Sequence, residues 1–360
     1  MWANSVTVSE TNRSIYLNAN PGTTIPMDDI LTMQVWIPRY KYKVWNYNEN
    51  GTATSSPQEI EITFESGTDT TGEIACSEQV TGTSGSVSET CKIDNTTCTD
   101  SLCNGKSYTH PSFWWDSDND LVIDNGEELK GFWIGKFEVT GTISSVTTKP
   151  NITPIVSLPV GNFYNGFLQM NDDANIYGFA LTDDTHMMKN MEWGAVAYLS
   201  HSKYGTCADG ICSEIGINNK GTYDSTSGSS ETITGCGSEA GSSSSSTCNE
   251  YNKEGVIAST TLNIYGVYDM SGGNHDFVSA SMIKSDGNFY APSGIPTGPA
   301  RRYHDYYSYG TTDKDSTAIK RGKLGDATKE SALWYDDVDY QVYVSGYWMS
   351  RGLVHMRVCK

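Results

Sequence analysis

The sequence predicts an α+β fold of short strands, two or three helices and long loops. Three observations predict it: short segments in which apolar and polar residues alternate, two segments in which apolar residues recur at helical spacing, and long Gly/Ser/Thr-rich stretches that carry most of the cysteines. The 360 residues are more than one average domain and fewer than three. Hydrophobic content of 37% with only 19% charged residues, alongside 35 glycines, 22 tyrosines and 9 tryptophans, describes a loop-rich chain with aromatic anchors, not one held open by charge repulsion.

Residues 30–45 read ILTMQVWIPRYKYKVW; after Pro38, Tyr40, Tyr42 and Val44 alternate with Arg39, Lys41 and Lys43, the period of a half-buried strand. EIEITFE (59–65) places Ile60, Ile62 and Phe64 on one face of a second strand. Residues 66–108 form a Thr/Ser/Gly loop with four cysteines, and GFWIGKFEVTG (131–141) is a third strand. Val160, Phe163, Phe167 and Met170 sit at helical spacing. In MMKNMEWGAVAYLS (187–200), Met188, Met191, Ala195, Tyr198 and Leu199 share one helix face, with Thr185 or Asn190 as caps. Residues 205–254 are a long insertion containing GSSSSST. GDATKESALW (325–334) is a short helix, and the aromatic, β-branched tail 338–358 reads as strands. No internal repeat is present and core-forming segments span the length, so 1–360 reads as a single elaborated domain.

Lys+Arg minus Asp+Glu is 24 − 43 = −19, which disfavours nucleic acid or anionic lipid as the main partner. No run of 18 apolar residues exists, so no membrane span is expected.

Eight of nine cysteines fall in sequential pairs within polar loops: Cys76 and Cys91, Cys98 and Cys103, Cys207 and Cys212, Cys236 and Cys248. None has the two-residue spacing of a zinc knuckle or a dithiol redox site. Four local disulfides in an oxidising compartment are expected, neighbour pairing being one of about 105 connectivities open to eight cysteines, with reduced surface thiols as the alternative. Cys359 is left over. The expected location is extracellular or on the cell surface. The opening MWANSVTVSE has neither a charged nor an apolar leader region, so the chain is expected to be an excerpt of a longer precursor.

DSDNDLVIDNGE (116–127) fits a twelve-residue calcium loop. Asp116, Asp118 and Asp120 fill positions 1, 3 and 5, Val122 offers its carbonyl at 7, Asp124 is position 9 and Glu127 the bidentate position 12. Leu121 replaces the glycine of position 6, and no flanking helices are evident, so the loop is expected as an insertion before a strand. A solvated acidic loop is the alternative.

RRYHDYYSYG (301–310) and the tail are rich in tyrosine, which gives large contact area at low entropic cost. Candidate ligand-binding residues are Tyr303, His304, Tyr306, Tyr307, Tyr309, Tyr343, Tyr347 and Arg351. The competing reading is that these aromatics pack an irregular core, with Arg301, Arg302 and Asp305 in structural ion pairs. No nucleophile triad, phosphate-cradling loop or paired catalytic carboxylates emerges, so no catalytic residue is named.

Several blocks carry a resemblance. FWIGKFEVTG (132–141), the Trp-bearing MMKNMEWGAVAYLS, NIYGVYDMSGGNHDFV (263–278), RGKLGDATKE and GYWMSRG (346–352) together resemble the formylglycine-generating-enzyme-like (sulfatase-modifying-factor) domain family over residues 25–352. The resemblance implies a C-type-lectin-like fold with a short antiparallel sheet, two helices and much ordered loop. Catalytic members need a reactive cysteine pair near the C-terminus; only Cys359 stands there, so the resemblance is to the non-catalytic branch that includes variable proteins of diversity-generating retroelements, which bind ligands at surfaces. At the signature turn Asn274-His275-Asp276-Phe277 stands for Val-Trp-Glu-Trp; in the relatives this turn contributes to a calcium site, which implies Asn274 and Asp276 as oxygen ligands. The expected function is an adhesin-like protein recognising a protein or glycan, with calcium as a structural ion. The alternatives are an enzyme of the same fold using Cys359, and a pilus or cell-wall subunit.

Overall fold

The computed structural model describes residues 2–43, 59–69, 75–81, 86–93, 96–97, 105–114, 127–172, 174–213, 216, 218, 233–237, 255–271, 275–283, 289–290, 294–296, 300–308, 325, 352–353 and 356–358. They form an α+β arrangement of three helices and several short, mostly antiparallel sheets. None of these helices is long and apolar enough to cross a membrane.

A five-stranded sheet organises the chain, in the order Asn4–Val8, Ile30–Pro38, Gly131–Gly135, Met356–Val358 and His186–Met187, with every neighbouring pair antiparallel. Segments from both ends of the sequence thus meet on one sheet, outside the 25–352 span of the resemblance on either side. The sheet has apolar residues on both faces. One core gathers Val35, Ile37, Phe132 and Ile134 with Tyr40, Tyr42 and Phe113 and the helix Asn190–Ser200. The other gathers Leu31 and Trp133 with Val139, Val146 and the helix Val160–Gln169, whose Val160, Phe163, Phe167 and following Met170 are all buried.

Tyr40–Lys43 alternates buried tyrosine with half-exposed lysine and pairs with Ile62–Phe64 and Ser107–Thr109. Ile60 and Ile62 are buried and Phe64 packs on the same core, as their alternation predicts. The strand predicted over 131–141 ends at Gly135, and Thr140–Thr142 belongs to a separate hairpin with Ser145–Thr147.

The second predicted helix also begins later than its pattern. His186–Met187 is taken into the sheet against Met356 and Arg357, and Lys189 bridges Ser279, so helical geometry starts at Asn190. Neither proposed cap holds. Thr185 donates its hydroxyl to Asn171 (2.5 Å), and Asn190 is already helical. The capping residue is Lys189, whose N–H donates to the Glu192 carboxylate at 2.9 Å, while the Met191 N–H donates to Asp305 at 2.9 Å. The Glu10–Leu17 helix was not legible: ETNRSIYL has no apolar stripe, and none of its residues is buried. The predicted helix at 325–334 lies outside the described residues except for Gly325, whose carbonyl accepts from buried His110 Nε2 at 2.8 Å.

Candidate functional site

Three assemblies concentrate chemistry-bearing side chains. The first underlies the Tyr-rich segment. Asp305–Ser308 runs parallel to Ala280–Ile283, and His304 just before it is wholly buried between Ser279 and Ser281. The tautomer follows from the bonding. Ser279 Oγ donates to the Tyr303 carbonyl (2.6 Å), so it accepts from His304 Nδ1–H (2.8 Å), which leaves Nε2 to accept from Ser281 Oγ–H (2.8 Å). A hydroxyl donating to an imidazole nitrogen is the arrangement of an activated nucleophile. Here Ser281 is also buried, so the pair is closed to a substrate and serves as interior hydrogen bonding. Burial, reinforced by Arg301 and Lys189, lowers His304 to about 3.

Beside it, Asp184 in left-handed conformation (φ 54°) faces Arg302 Nε at 3.9 Å and His186 Nδ1 at 4.0 Å. His186 Nδ1 donates to the Asp184 carbonyl (2.8 Å), and its Nε2 lies 3.4 Å from Glu192. Tyr303 is half-buried, lies under Arg302 (4.5 Å to the ring centroid) and is tilted against His186, and burial with the Asp184 charge pushes its hydroxyl pKa upward. Tyr306 is buried against His304. His304 and Tyr306 therefore pack the interior, Tyr303 borders it, and Tyr307 is described in its backbone alone, as a strand residue opposite Met282. Tyr309, Tyr343, Tyr347 and Arg351 lie outside the described residues.

The second assembly is the neck of the acidic loop. Trp114 and Glu128 form an antiparallel bridge, Leu129 N–H donates to Phe113 O (2.6 Å), and Trp114 Nε1 donates to Glu128 at 3.2 Å. Arg39 and Glu65, whose side chains are both fully buried, pair at 2.9 Å, and Arg39 also reaches Glu128 at 3.6 Å. Phe113 and Trp114 before the 115–126 segment and Glu128 and Leu129 after it are thus held side by side above a buried ion pair. Of the predicted calcium ligands only Glu127 is described with its side chain, and it is buried. Asp116, Asp118, Asp120, Val122, Asp124 and Asn274 lie outside the described residues. Asp276 is described in its backbone, where His275–Asp276 pairs in parallel with Gly352–Leu353 and so joins two of the resemblance blocks.

The third assembly is a cysteine hairpin. Cys207 and Cys212 are disulfide-bonded, as neighbour pairing predicts, and Cys236 is also in a disulfide. Cys76 stands opposite Cys91 in the register of Ala75–Thr81 with Ser86–Ile93. Cys98, Cys103, Cys248 and Cys359 lie outside the described residues. Sequence reasoning missed His201, which caps the Asn190–Ser200 helix beside the hairpin; one of its ring nitrogens and the sulfurs of Cys207 and Cys212 lie within 4.8 Å of one another. The overlooked signal was the Asp-Gly turn in CADGIC, which folds the two cysteines face to face.

No protein-family model matches this sequence, and no curated protein matches it.

Proposed function

We propose that this chain is an extracellular or surface-displayed ligand-binding protein of formylglycine-generating-enzyme-type C-type-lectin fold, recognising a protein or glycan. The observation that carries the reading is the meeting of separated resemblance blocks. The signature turn at 275–276 pairs with the Gly352–Leu353 segment, which begins at the last residue of GYWMSRG. The short antiparallel sheet with helices at 160–169 and 190–200 agrees with the fold the resemblance implies. In this reading Tyr309, Tyr343, Tyr347 and Arg351 are the residues that contact the ligand. The disulfides at Cys207–Cys212 and Cys236 agree with an oxidising compartment.

Calcium is proposed to order the 116–127 loop. Its carboxylates repel one another in a chain of net charge −19, and a clamped neck removes part of the entropy of closing the ligands around an ion. With Leu121 at the turn position, the expected Kd is about 10⁻⁴–10⁻³ M. Thermal unfolding in calcium and in chelator tests it: at ten times Kd the gain is about 1.4 kcal/mol. Asp118→Ala/Asp120→Ala should abolish the gain. An unchanged midpoint at 10 mM calcium refutes the site. Binding is tested by applying labelled protein to a glycan array and to intact cells. Tyr309→Ala/Tyr343→Ala/Tyr347→Ala should weaken retention at least tenfold at an unchanged unfolding midpoint; equal retention by the triple variant, or no retention on any surface, overturns the reading.

A further inference from the structure

The Cys207–Cys212 hairpin has a geometry that its disulfide does not explain. Cys207 faces Cys212 and Ala208 faces Ile211, and Asp209 (φ 52°) and Gly210 (φ 77°) form a turn with both central residues left-handed, the type that matches strand twist. Backbone bonds then dock the hairpin on the end of the Asn190–Ser200 helix: Thr206 N–H to Ser200 O (2.9 Å), Gly205 N–H and Cys207 N–H to Ser202 O (2.9 and 3.2 Å), and Ser213 N–H to Thr206 O (3.1 Å). The return is so tight that a Cβ on Gly205 would stand 2.3 Å from Ser200 O and 2.5 Å from Leu199 O. Turn, ladder and docking fix the two cysteines without the bridge. A ring this short also gains less from cross-linking than a long loop does, and the turn already restricts it.

What the docking does accomplish is to bring both sulfurs to a buried histidine. His201 is 2% exposed, and one of its ring nitrogens lies within 4.8 Å of both sulfurs, which are in turn that close to each other. We propose that, once its disulfide is reduced, the hairpin and His201 bind a zinc-class cation through the Cys207 and Cys212 thiolates and one His201 nitrogen, leaving a fourth position for water or an external ligand.

The geometry suits that ion. With Zn–S of about 2.3 Å and Zn–N of about 2.0–2.1 Å, tetrahedral ligand atoms stand roughly 3.5–3.8 Å apart. The three ligand atoms lie within 4.8 Å of one another, so side-chain rotations on the docked hairpin are what must open the sulfur pair and bring a ring nitrogen to that spacing. Two thiolates, a neutral imidazole and a dication sum to zero charge, the combination a buried site tolerates. The carboxyl end of the helix adds negative partial charge, which disfavours a pair of bare thiolates and favours a cation among them. Sulfur with imidazole selects zinc-class ions over calcium or magnesium. In the disulfide form the sulfurs are bonded to each other and the site is closed, so the bridge gates the metal. Opening it takes two electrons and two protons, supplied by a dithiol that leaves as its own disulfide. Metal binding then releases the two thiol protons. This site is independent of the calcium and ligand-binding readings above.

The full chain, reduced with a phosphine that is not itself a thiol ligand, is treated with iodoacetamide with and without 50 μM Zn²⁺, and alkylation at each cysteine is followed by peptide mass spectrometry. Zinc should slow alkylation of Cys207 and Cys212 together, at least tenfold, and leave the unreduced protein without a zinc effect. Co²⁺ added to the reduced chain should give thiolate charge-transfer and tetrahedral d–d bands. Cys207→Ser/Cys212→Ser should lose those bands, and His201→Gln should weaken cobalt affinity at least tenfold and shift the d–d maximum. Unchanged alkylation rates at both cysteines in the reduced parent overturn the proposal whether or not the variants fold. Identical cobalt spectra in the double variant overturn it as well.

Discussion

Substituting Glu65 by Gln tests the charged footing of the acidic loop. The side chains of Arg39 and Glu65 are both fully buried; Glu65 accepts from Arg39 Nε at 2.9 Å and from the Thr109 hydroxyl at 2.9 Å. Gln preserves shape and one acceptor oxygen, but it removes the charge that balances a guanidinium with no exposure to water. The remaining contacts of Arg39 include the Leu129 carbonyl at 3.4 Å and Glu128 at 3.6 Å, and Glu128 is 24% exposed. Breaking a buried pair while leaving its partner charged costs about 3–5 kcal/mol, and the surviving Glu128 contact brings the expected loss to about 2–4 kcal/mol. Glu128→Gln removes the longer, partly solvated contact and keeps an acceptor for Trp114 Nε1, so about 0–1 kcal/mol is expected. Urea unfolding of the two variants beside the parent, with m-values checked for constancy, measures the difference. A Glu128→Gln loss equal to or above that of Glu65→Gln, or a Glu65→Gln loss below 1 kcal/mol, would refute the assignment of Glu65 as the principal counter-ion.

Gly161→Ala and Gly166→Ala both gain helix propensity of about 1 kcal/mol, yet only the first should destabilise. A Cβ at 161 meets the Gly294 backbone at 2.1–2.4 Å, against a cost of overpacking of about 1–3 kcal/mol, whereas a Cβ at 166 meets chiefly the movable Ile143 side chain at 2.8 Å; thermal unfolding should separate the two. Burial holds His110 and His304 down to about 3 and His201 to about 4, against an ordinary 6.5. The unfolded chain takes up these protons below pH 6.5 and the folded chain does not, so stability is complete above pH 6.5 and declines as pH falls toward 4, by about 1.4 kcal/mol per pH unit for each histidine. Urea midpoints at pH 7, 6 and 5 should show this slope, His110→Asn should lower it by one proton, and a flat profile would contradict the burial. The calcium response of the 116–127 loop is expected to vanish in Asp118→Ala/Asp120→Ala, with thermal unfolding as the readout.

Local patterns were legible where one side of an element is buried and the other wet. Tyr40 and Tyr42 alternate with Lys41 and Lys43 because one face packs and the other meets solvent. Val160, Phe163 and Phe167 announce their helix for the same reason. The Asn190–Ser200 helix is buried nearly all round, so its residues gave the helix but not its start. That boundary is set by the pairing of His186 and Met187 with Arg357 and Met356, some 170 positions away. The disulfide between Cys207 and Cys212 was readable from proximity in sequence. The histidine beside it was not, because a lone histidine at a helix end has no periodic signature.

The sequence by itself determined the α+β class, the alternating strands, the apolar helix faces, the nearness of Cys207 to Cys212 along the chain and the acidic spacing at 116–127, since each depends on residues close to one another in sequence. The tertiary structure alone decided that the two ends of the sequence share a sheet, that His304 and Tyr306 pack inward, that Arg39 and Glu65 support the neck of the acidic loop, and that His201 meets two cysteines. These facts depend on which buried polar groups find partners and on how closely backbones such as that at Gly205 can pass. Both are settled only when distant segments compete for the same interior volume.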